Sequence, residues 1–265
     1  MTDHLLEEIR GSVAILTMNR PDRRNAMSKE MLMAMLESLS RLSMDDSIGC
    51  VVLTGAGNAF CAGGDVKAMA DGVEDDADTL EGKTQQLRAV METSRLLHEM
   101  PKPTIAMVGG AAAGAGLSLA LACDMRVAAS SAKFTTAFAK VGYSGDFGGS
   151  FYLTHLVGTA KARELYYTAA LVMADEALSL GMVNHVFPDA ELEAEALGFA
   201  DALAAGPRIA YRYMKRNLNA AESGAPLKDM LDMEALHHSR CGMTEDHQEA
   251  TKAFVEKRPP VFSGR

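Results

Sequence analysis

The chain has 265 residues, of which 48% are hydrophobic, so it can bury a sizeable core in one large domain or two small ones. Its formal net charge of −9 argues against nucleic acid or an anionic membrane as the main partner. No apolar run approaches the ~20 residues that a membrane span needs, which argues against an integral membrane protein.

The four cysteines and the N-terminal segment indicate a reducing compartment. The cysteines have no CxxC spacing, which argues against a disulfide framework and against a zinc site. The segment MTDHLLEEIR is acidic and lacks the apolar core of a signal peptide. A cytoplasmic protein with no metal site is therefore expected.

Patterns typical of strands alternate with patterns typical of helices over the first 188 residues. Short apolar runs predict strands at residues 5–19 (two strands), 48–54, 103–108 and 125–129. Helical spacing predicts helices after a capping Ser28 and at residues 84–100, 160–167, 174–180, 191–205 and beyond. The alternation predicts an α/β core over residues 1–190 and a helical C-terminal region over residues 191–265.

An acidic segment, DGVEDDAD at residues 71–78, lies between a helix predicted to begin near Asp65 and the helix predicted at residues 84–100. It has few apolar side chains and therefore little surface to bury. A mobile loop or a lid over a pocket is expected there.

Two predicted strand-to-helix junctions are built from very small residues. The first is CAGG at residues 61–64, followed by Asp65, and the second is the run of eight Gly and Ala residues at 109–116. Such a backbone can approach a ligand closely, and the helix that follows points unpaired N–H groups at it. Two junctions of this type can supply two N–H groups to one oxygen, an oxyanion hole that suits a thioester carbonyl and its enolate. Tight packing of helices on a sheet also uses Gly and Ala and is the alternative.

One carboxylate is a candidate for proton transfer. Residues 142–149 contain four glycines and a single acid, Asp146. Burial there would raise its pKa toward a value that is useful for a base. The alternative is an aspartate that holds its own turn through side-chain hydrogen bonds, which is common next to glycine.

Three other kinds of site fit the sequence poorly. Residues 116–120 approach the pattern G-x-S-x-G, but Ser118 falls inside a predicted helix rather than at a sharp turn after a strand. The dinucleotide-binding pattern G-x-G-x-x-G matches at Gly114 and Gly116, but the third glycine of the pattern is absent. Cys61 has no histidine at a recognisable spacing, so a buried structural thiol fits better than a nucleophile.

Five segments resemble the enoyl-CoA hydratase/isomerase (crotonase) superfamily, in order and over nearly the whole chain. They are NRPDRRNAMS, AFCAGGDVKAM, GGAAAGAGLSLALACDMRVA, KVGYSGDFGGSFYLTHLVG and AFVEKRPPVFSGR. The resemblance implies a crotonase-like spiral of ββα turns with a C-terminal helical region, assembled as a homo-trimer or hexamer. It also implies an acyl-CoA thioester substrate and no separate cofactor, because coenzyme A is part of the substrate.

The same resemblance assigns residues to the site. The backbone N–H groups of Gly64 and Ala115 would be the oxyanion donors. The residues implied in CoA binding are Arg23, Arg24, Ala26, Ala62, Lys67, Phe254 and Lys257. In many members of the superfamily the last two reach the CoA of a neighbouring subunit. For the two arginines, a solvated surface position is the alternative.

Departures from the family pattern point to isomerisation. Hydratases with two catalytic glutamates carry them at the positions of Ser118 and Phe138, so the usual hydration cannot be assumed. Asp146 stands where those hydratases have glycine, as in the ring-epoxide isomerases of phenylacetyl-CoA degradation and some enoyl-CoA isomerases. The chlorobenzoyl-CoA dehalogenases share this aspartate but also use a tryptophan, and this chain has none.

The leading hypothesis is an acyl-CoA isomerase that moves a double bond or a proton on an enoyl- or aryl-acyl-CoA. Asp146 would remove and return the proton while Gly64 and Ala115 stabilise the enolate. One alternative is an enoyl-CoA hydratase that works through a single acid. The alternative from another class is a homologue that binds acyl-CoA without catalysis, or one that contacts RNA, against which the acidic charge argues.

Overall fold

The computed structural model describes residues 2–67 and 79–265, so the acidic segment at residues 71–78 lies outside the described residues. The strands are β1 (Leu5–Arg10), β2 (Val13–Met18), β3 (Cys50–Gly55), β4 (Ala59–Cys61), β5 (Thr104–Val108), β6 (Ala111–Ala113), β7 (Met125–Ala129), β8 (Lys133–Thr135), β9 (Val172–Met173) and β10 (His185–Phe187). The helices are α1 (Lys29–Met44), α2 (Leu80–Val90), α3 (Glu92–Glu99), α4 (Ala115–Ala122), α5 (Gly149–Thr168), α6 (Ala174–Ser179), α7 (Leu192–Ala204), α8 (Arg208–Glu222), α9 (Leu227–Gly242) and α10 (Glu245–Glu256). The expected alternation of strands and helices therefore extends to β10, and helices follow it.

The strands form two sheets that the chain visits in turn. The larger sheet has the order β1-β2-β3-β5-β7-β10; β1 is antiparallel to β2, and the other pairs are parallel. The smaller sheet has the order β4-β6-β8-β9, with β4, β6 and β8 parallel. A strand of the larger sheet is followed by one of the smaller sheet and then by a helix, as in β5, β6 and α4. The predicted α/β spiral of ββα turns is confirmed.

The strands of the smaller sheet are missing from the sequence-based prediction. They have only two or three residues, and β4 (AFC) and β6 (AAA) contain no β-branched side chain. Strand β6 lies inside the Gly/Ala run at residues 109–116 that the sequence predicts as a strand-to-helix junction, and α4 begins at Ala115, within the same run. These strands form because β6 pairs with both β4 and β8, a tertiary contact that local propensity does not reveal.

Helix α4 lies between the two sheets and is buried along its whole length. All eight of its residues, AGLSLALA, are buried, and it contacts strands of both sheets. A helix that is apolar on every side is stable only in such an interior. Even so, no helix in the described parts of the chain combines the length and the hydropathy needed to cross a bilayer.

Two segments differ in extent from their prediction. The helix expected at 84–100 is two helices, α2 and α3, that meet at Met91. The break allows α3 to bury Thr93, Ser94 and Leu97, whereas α2 buries none of its residues. After α10 the chain has no regular secondary structure rather than a helix, because two consecutive prolines follow Arg258.

Helix α7 comes after residue 190 but packs on the larger sheet. It contacts β3, β5 and β7, and its inner face, Ala196, Ala200 and Ala204, belongs to the hydrophobic core. Helix α8 is attached to the core by the buried Lys215, whose ammonium donates to Asp124 Oδ2 at 2.8 Å. The division of the chain at residue 190 stays a prediction.

Candidate active site

The two small-residue junctions meet in the folded chain. Strand β4 pairs in parallel with β6, so the segments that follow these strands leave the smaller sheet at the same edge. A Cβ atom built on Gly63 would lie 2.8 Å from the Ala113 carbonyl oxygen and 3.4 Å from the Ala115 nitrogen. The peptides next to Gly64 and Ala115 are therefore in contact, as two donors to one oxygen must be.

A glycine with positive φ precedes each of the two donors. Gly63 has φ +90°, and Gly114 has φ +52° with ψ −127°, a combination that only glycine adopts readily. Ala115 is the first residue of α4, so its N–H has no partner within the helix. Within the described residues, the amides of Gly64 and Ala115 donate no hydrogen bond. Both N–H groups are free to bind a ligand oxygen.

The first junction is held by the loop between β2 and α1. Met27 N donates to Gly63 O at 2.8 Å, and Ala62 N donates to Arg24 O at 3.0 Å. Behind these bonds, the Arg20 guanidinium is paired with the buried Asp65 carboxylate at 3.1 Å. This ion pair fixes the peptide at Gly64, which precedes Asp65 in the chain.

The same loop brings the predicted CoA-binding residues of the N-terminal half together. Ala26 is buried beside the Met27–Gly63 contact, and Ala62 is bonded to the Arg24 carbonyl. Three cations near these residues in the chain are exposed: Arg23 and Arg24 in the loop, and Lys67 three residues after Gly64. Exposed cations of this kind suit the phosphates of a nucleotide.

Cys61 is a buried thiol and is not suited to attack a substrate. Its sulfur donates to Asn25 O at 3.1 Å, and burial raises its pKa to about 12. A thiol with that pKa holds its proton at neutral pH, so the thiolate needed for nucleophilic catalysis is not formed.

Asp146 lies in a tight loop that precedes α5 in the chain. Four residues from Gly142 to Gly148 have positive φ, and one of them is the non-glycine Phe147 at +48°. Ser94 from α3 donates to Phe147 O at 2.7 Å, and the Phe147 side chain is buried. The backbone of the turn is closed by Gly149 N, which donates to Asp146 O at 3.1 Å. The loop conformation is therefore held by backbone bonds and by Phe147.

The Asp146 carboxylate does not hold the turn. Its Oδ1 atom is buried and has no hydrogen-bond partner among the described residues. Burial raises the pKa of Asp146 to about 6 from the ordinary value of 3.8. A buried carboxylate oxygen without a partner lowers stability, which makes Asp146 a candidate for a functional role.

An aromatic pair connects the oxyanion donors with Asp146. The Phe138 ring lies 3.7 Å from a Cβ built on Gly114, and it stacks on Tyr166 with 6.0 Å between the ring centroids. The Tyr166 ring in turn lies 3.1 Å from a Cβ built on Gly145, the residue before Asp146. The donors and the carboxylate are therefore at the two ends of one aromatic wall.

Replacing Asp146 by asparagine is expected to stabilise the folded protein. The pKa of Asp146 is raised in the folded state, so the folded protein binds this proton more tightly than the unfolded chain does. The parent protein therefore loses unfolding free energy as the pH rises from about 4 to about 6. At pH 7.5 the variant should gain about 1–2 kcal/mol in unfolding free energy, a value reduced from the full shift because the side chain is partly exposed. Urea unfolding at pH 7.5 and at pH 4 measures this difference, which should close at pH 4. A variant less stable than the parent at pH 7.5 would contradict it.

Phe254 and Lys257 lie at the C-terminal end of α10. Phe254 is 85% exposed, and Lys257 follows the helix with φ +54°. Helix α10 contacts α9, and its Glu249 is paired with Arg258 in the tail. Their exposure leaves both residues available to a neighbouring subunit, and their contact with CoA stays a prediction.

Three residues of the site were not found from the sequence. Arg20 lies in the segment NRPDRRNAMS, but its pairing with Asp65 is visible only in the fold. Asn25 is completely buried, and its side-chain amide donates to the carbonyls of Ala56 and Ala59. Its only local signal is that asparagine is common in turns. Tyr166 has no local signal, because its role depends on the packing of α5 against the Asp146 loop.

A separate cavity of about 380 Å³ lies between α8 and the larger sheet. Its wall includes Asp124 and Lys215, which are bonded to each other, and apolar side chains such as Leu203 and Met214. It is away from the two donor peptides. Among the described residues, no group of three histidine, cysteine or acidic side chains could hold a metal ion.

Comparison with known proteins gives matches over the full length. A family model described as Enoyl-CoA hydratase/isomerase matches residues 8–265. A "1,2-epoxyphenylacetyl-CoA isomerase" of Escherichia coli is 36% identical over 265 residues, which is 100% of each chain. A "Probable enoyl-CoA hydratase" of Rhodobacter capsulatus is 36% identical over 258 residues, 97% of each chain.

Solved structures agree with the fold. The enoyl-CoA hydratase of Bacillus anthracis is 31% identical with a TM-score of 0.91, covering 99% of this chain and 100% of the other. A putative enoyl-CoA hydratase of Streptomyces coelicolor is 35% identical with a TM-score of 0.92, covering 99% and 94%.

Proposed function

The chain belongs to the enoyl-CoA hydratase/isomerase family, whose members act on acyl-CoA thioesters, and we propose that it is an acyl-CoA isomerase with Asp146 as its proton-transfer group. The observation that carries the proposal is the half-buried Asp146 carboxylate, whose Oδ1 atom has no partner among the described residues. It lies at one end of the aromatic wall that starts at the two free amides. The positions at which the resemblance implies hydratase glutamates are occupied by Ser118 and Phe138. Proton transfer by one carboxylate fits this arrangement better than hydration, in which two carboxylates hold one water molecule.

The thioester carbonyl oxygen accepts hydrogen bonds from the N–H groups of Gly64 and Ala115. As a proton leaves the acyl chain, negative charge develops on this oxygen, and the two donors stabilise the enolate. Losing one donor of such a pair typically costs ~3 kcal/mol of transition-state stabilisation. The N-terminus of α4 adds its positive partial charge at the same point.

Asp146 removes the proton from one carbon and returns it to another. With a pKa of about 6, the carboxylate is mostly ionised at neutral pH and is a stronger base than an ordinary aspartate. Its conjugate acid is still acidic enough to protonate the enolate. The raised pKa therefore serves both halves of an isomerisation.

The acyl group is proposed to be an enoyl or aryl chain. The stacked Phe138 and Tyr166 rings offer an apolar aromatic face between the donors and Asp146. The relative that is called a 1,2-epoxyphenylacetyl-CoA isomerase supports an aryl substrate. Coenzyme A enters as part of the substrate and no separate cofactor is required.

The CoA nucleotide is proposed to bind the cations beside the first junction, Arg23, Arg24 and Lys67. The protein is proposed to be a homo-trimer or hexamer in which Phe254 and Lys257 reach the CoA of a neighbouring subunit. A cytoplasmic location is proposed as well, and the four free thiols fit a reducing compartment.

A kinetic assay with a 3-enoyl-CoA and a 2-enoyl-CoA tests the isomerase proposal. The 3-enoyl thioester should be converted to its conjugated isomer faster than the 2-enoyl thioester gains water. Its kcat/KM should fall about tenfold per pH unit below pH 6, because the ionised form of Asp146 is required and its pKa is about 6. Faster hydration would favour the hydratase alternative, which the name of the Rhodobacter relative supports. Tight binding of both thioesters with no turnover would favour the non-catalytic alternative.

A further inference from the structure

Two hydroxyl groups meet at the start of α5, beside the Asp146 loop. Both lie close to the point where a Cβ of residue 149 would be: Tyr166 Oη at 2.8 Å and Ser118 Oγ closer still. Since each oxygen lies within 2.8 Å of that point, the two oxygens are less than about 5.6 Å apart. Because residue 149 is glycine, α4 and α5 approach closely enough to bring the hydroxyls together.

The two hydroxyls have different hydrogen-bonding states. Ser118 is buried, and its Oγ donates to the Gly114 carbonyl at 3.3 Å. The Ser118 hydroxyl can therefore act toward a ligand only as a hydrogen-bond acceptor. Tyr166 makes no hydrogen bond with the described residues through its hydroxyl. Burial and the charge of Asp146 raise the pKa of Tyr166 to about 12, so the phenol keeps its proton and can donate it in a hydrogen bond.

The Tyr166 hydroxyl is also placed along the path of the acyl chain. It lies 3.5 Å from a Cβ built on Gly145, next to Asp146, and its ring stacks on Phe138, which touches Gly114. An acyl group that starts at the Ala115 amide and reacts at Asp146 must pass this aromatic wall. The hydroxyl is a polar point on an otherwise apolar surface.

We propose that Tyr166 determines substrate choice, and that its hydroxyl donates a hydrogen bond to an oxygen substituent on the acyl group. The inference rests on the proposed function of the site and names its substrate class: acyl chains that carry a hydroxyl or ether-type oxygen near the reacting carbons. A plain hydrocarbon chain would leave the half-buried phenol without an acceptor, which disfavours its binding. The Ser118 hydroxyl oxygen can accept a hydrogen bond at the same place, so a hydroxyl group on the acyl chain could donate to Ser118 while it accepts from Tyr166.

Binding of phenylacetyl-CoA and its 2-, 3- and 4-hydroxy derivatives tests this proposal, since these thioesters differ by one oxygen at known positions. Isothermal titration should find at least one hydroxylated isomer bound about tenfold more tightly than phenylacetyl-CoA by the parent protein. In Tyr166→Phe, this preference should fall below about threefold, while the affinity for phenylacetyl-CoA itself changes little.

The neighbouring tyrosine provides a matched control. Tyr167 is on the same helix and is 78% exposed, so Tyr167→Phe should keep the full preference. The proposal is overturned if the parent has no preference, if Tyr166→Phe keeps it, or if Tyr166→Phe weakens all four thioesters equally. Because the readout is binding, these outcomes are distinct from a failure of the isomerase proposal, which would appear as absent turnover.

Discussion

Asp146→Asn is expected to lower kcat by about 10³-fold or more, because the carboxylate is the proposed acceptor and donor of the transferred proton. Asparagine has nearly the same shape but cannot take up a proton at neutral pH. The loop is held by Ser94 and by the Gly149–Asp146 backbone bond, neither of which needs the carboxylate. Binding of an acyl-CoA should therefore stay within about threefold of the parent, since the donors and the cationic cluster are untouched.

The exposed Asp201 on α7 provides the control, since Asp201→Asn removes the same charge away from the site. Steady-state kinetics and titration with a slowly reacting acyl-CoA separate the effects on turnover and on binding. Turnover by Asp146→Asn at the parental rate would exclude Asp146 as the proton-transfer group. A parallel loss of binding and turnover would indicate a structural role instead.

Gly114→Ala is expected to lower kcat/KM by about 10²–10³-fold through loss of one oxyanion donor. At φ +52° and ψ −127° an alanine is strained, although a Cβ there has no contact closer than 3.6 Å. The backbone should relax by rotating the peptide that carries the Ala115 N–H, so the donor no longer points at the thioester oxygen. The loss should be mainly in kcat, because the donor acts most strongly on the enolate.

Gly11→Ala is the matched control for backbone strain. Gly11, between β1 and β2, has φ +57° and nothing within 4 Å of a built Cβ. Both variants should lose stability, about 1 kcal/mol for Gly11→Ala and more for Gly114→Ala, but only Gly114→Ala should lose activity. Equal activity of the two variants, measured by steady-state kinetics on folded protein, would contradict the role of the Ala115 amide.

The sequence predicts the larger sheet and most helices because their patterns are local. Strands such as β3 and β5 are continuous apolar runs, and Ser28 caps α1 by accepting a hydrogen bond from Met31 N. The smaller sheet was not predicted, because β4 and β6 are three-residue strands without β-branched side chains that depend on each other for pairing. This sheet is what brings the two small-residue junctions to one edge.

The candidate site could be located from the sequence where one residue carries a chemical signal. Asp146 is the single acid in a glycine-rich segment, and the Gly/Ala runs mark the two proposed donor peptides. Tyr166 and the Arg20–Asp65 pair could not be found this way, since each acts through a partner distant in sequence. Their roles follow from tertiary packing, for which the sequence has no periodic signature.

Several features of the candidate site lower stability, and the proposed function accounts for them. The Oδ1 atom of Asp146 is buried without a partner among the described residues, Phe147 has positive φ, and Gly63 and Gly114 require backbone conformations that side chains disfavour. Each lies next to a group that would contact the thioester or the reacting carbon. Strain and missing partners collected at one place are typical of an active site whose geometry is fixed before the substrate binds.

The proposed mechanism requires that two amides and one carboxylate act on the same acyl-CoA. A crystal structure of Asp146→Asn with an unreacted 3-enoyl-CoA bound tests it most directly. We expect the thioester oxygen to lie about 3 Å from the nitrogens of both Gly64 and Ala115, with a hydrogen-bearing carbon about 3–3.5 Å from the side chain at position 146. A thioester oxygen bound away from either amide, or an acyl chain directed away from position 146, would contradict this mechanism.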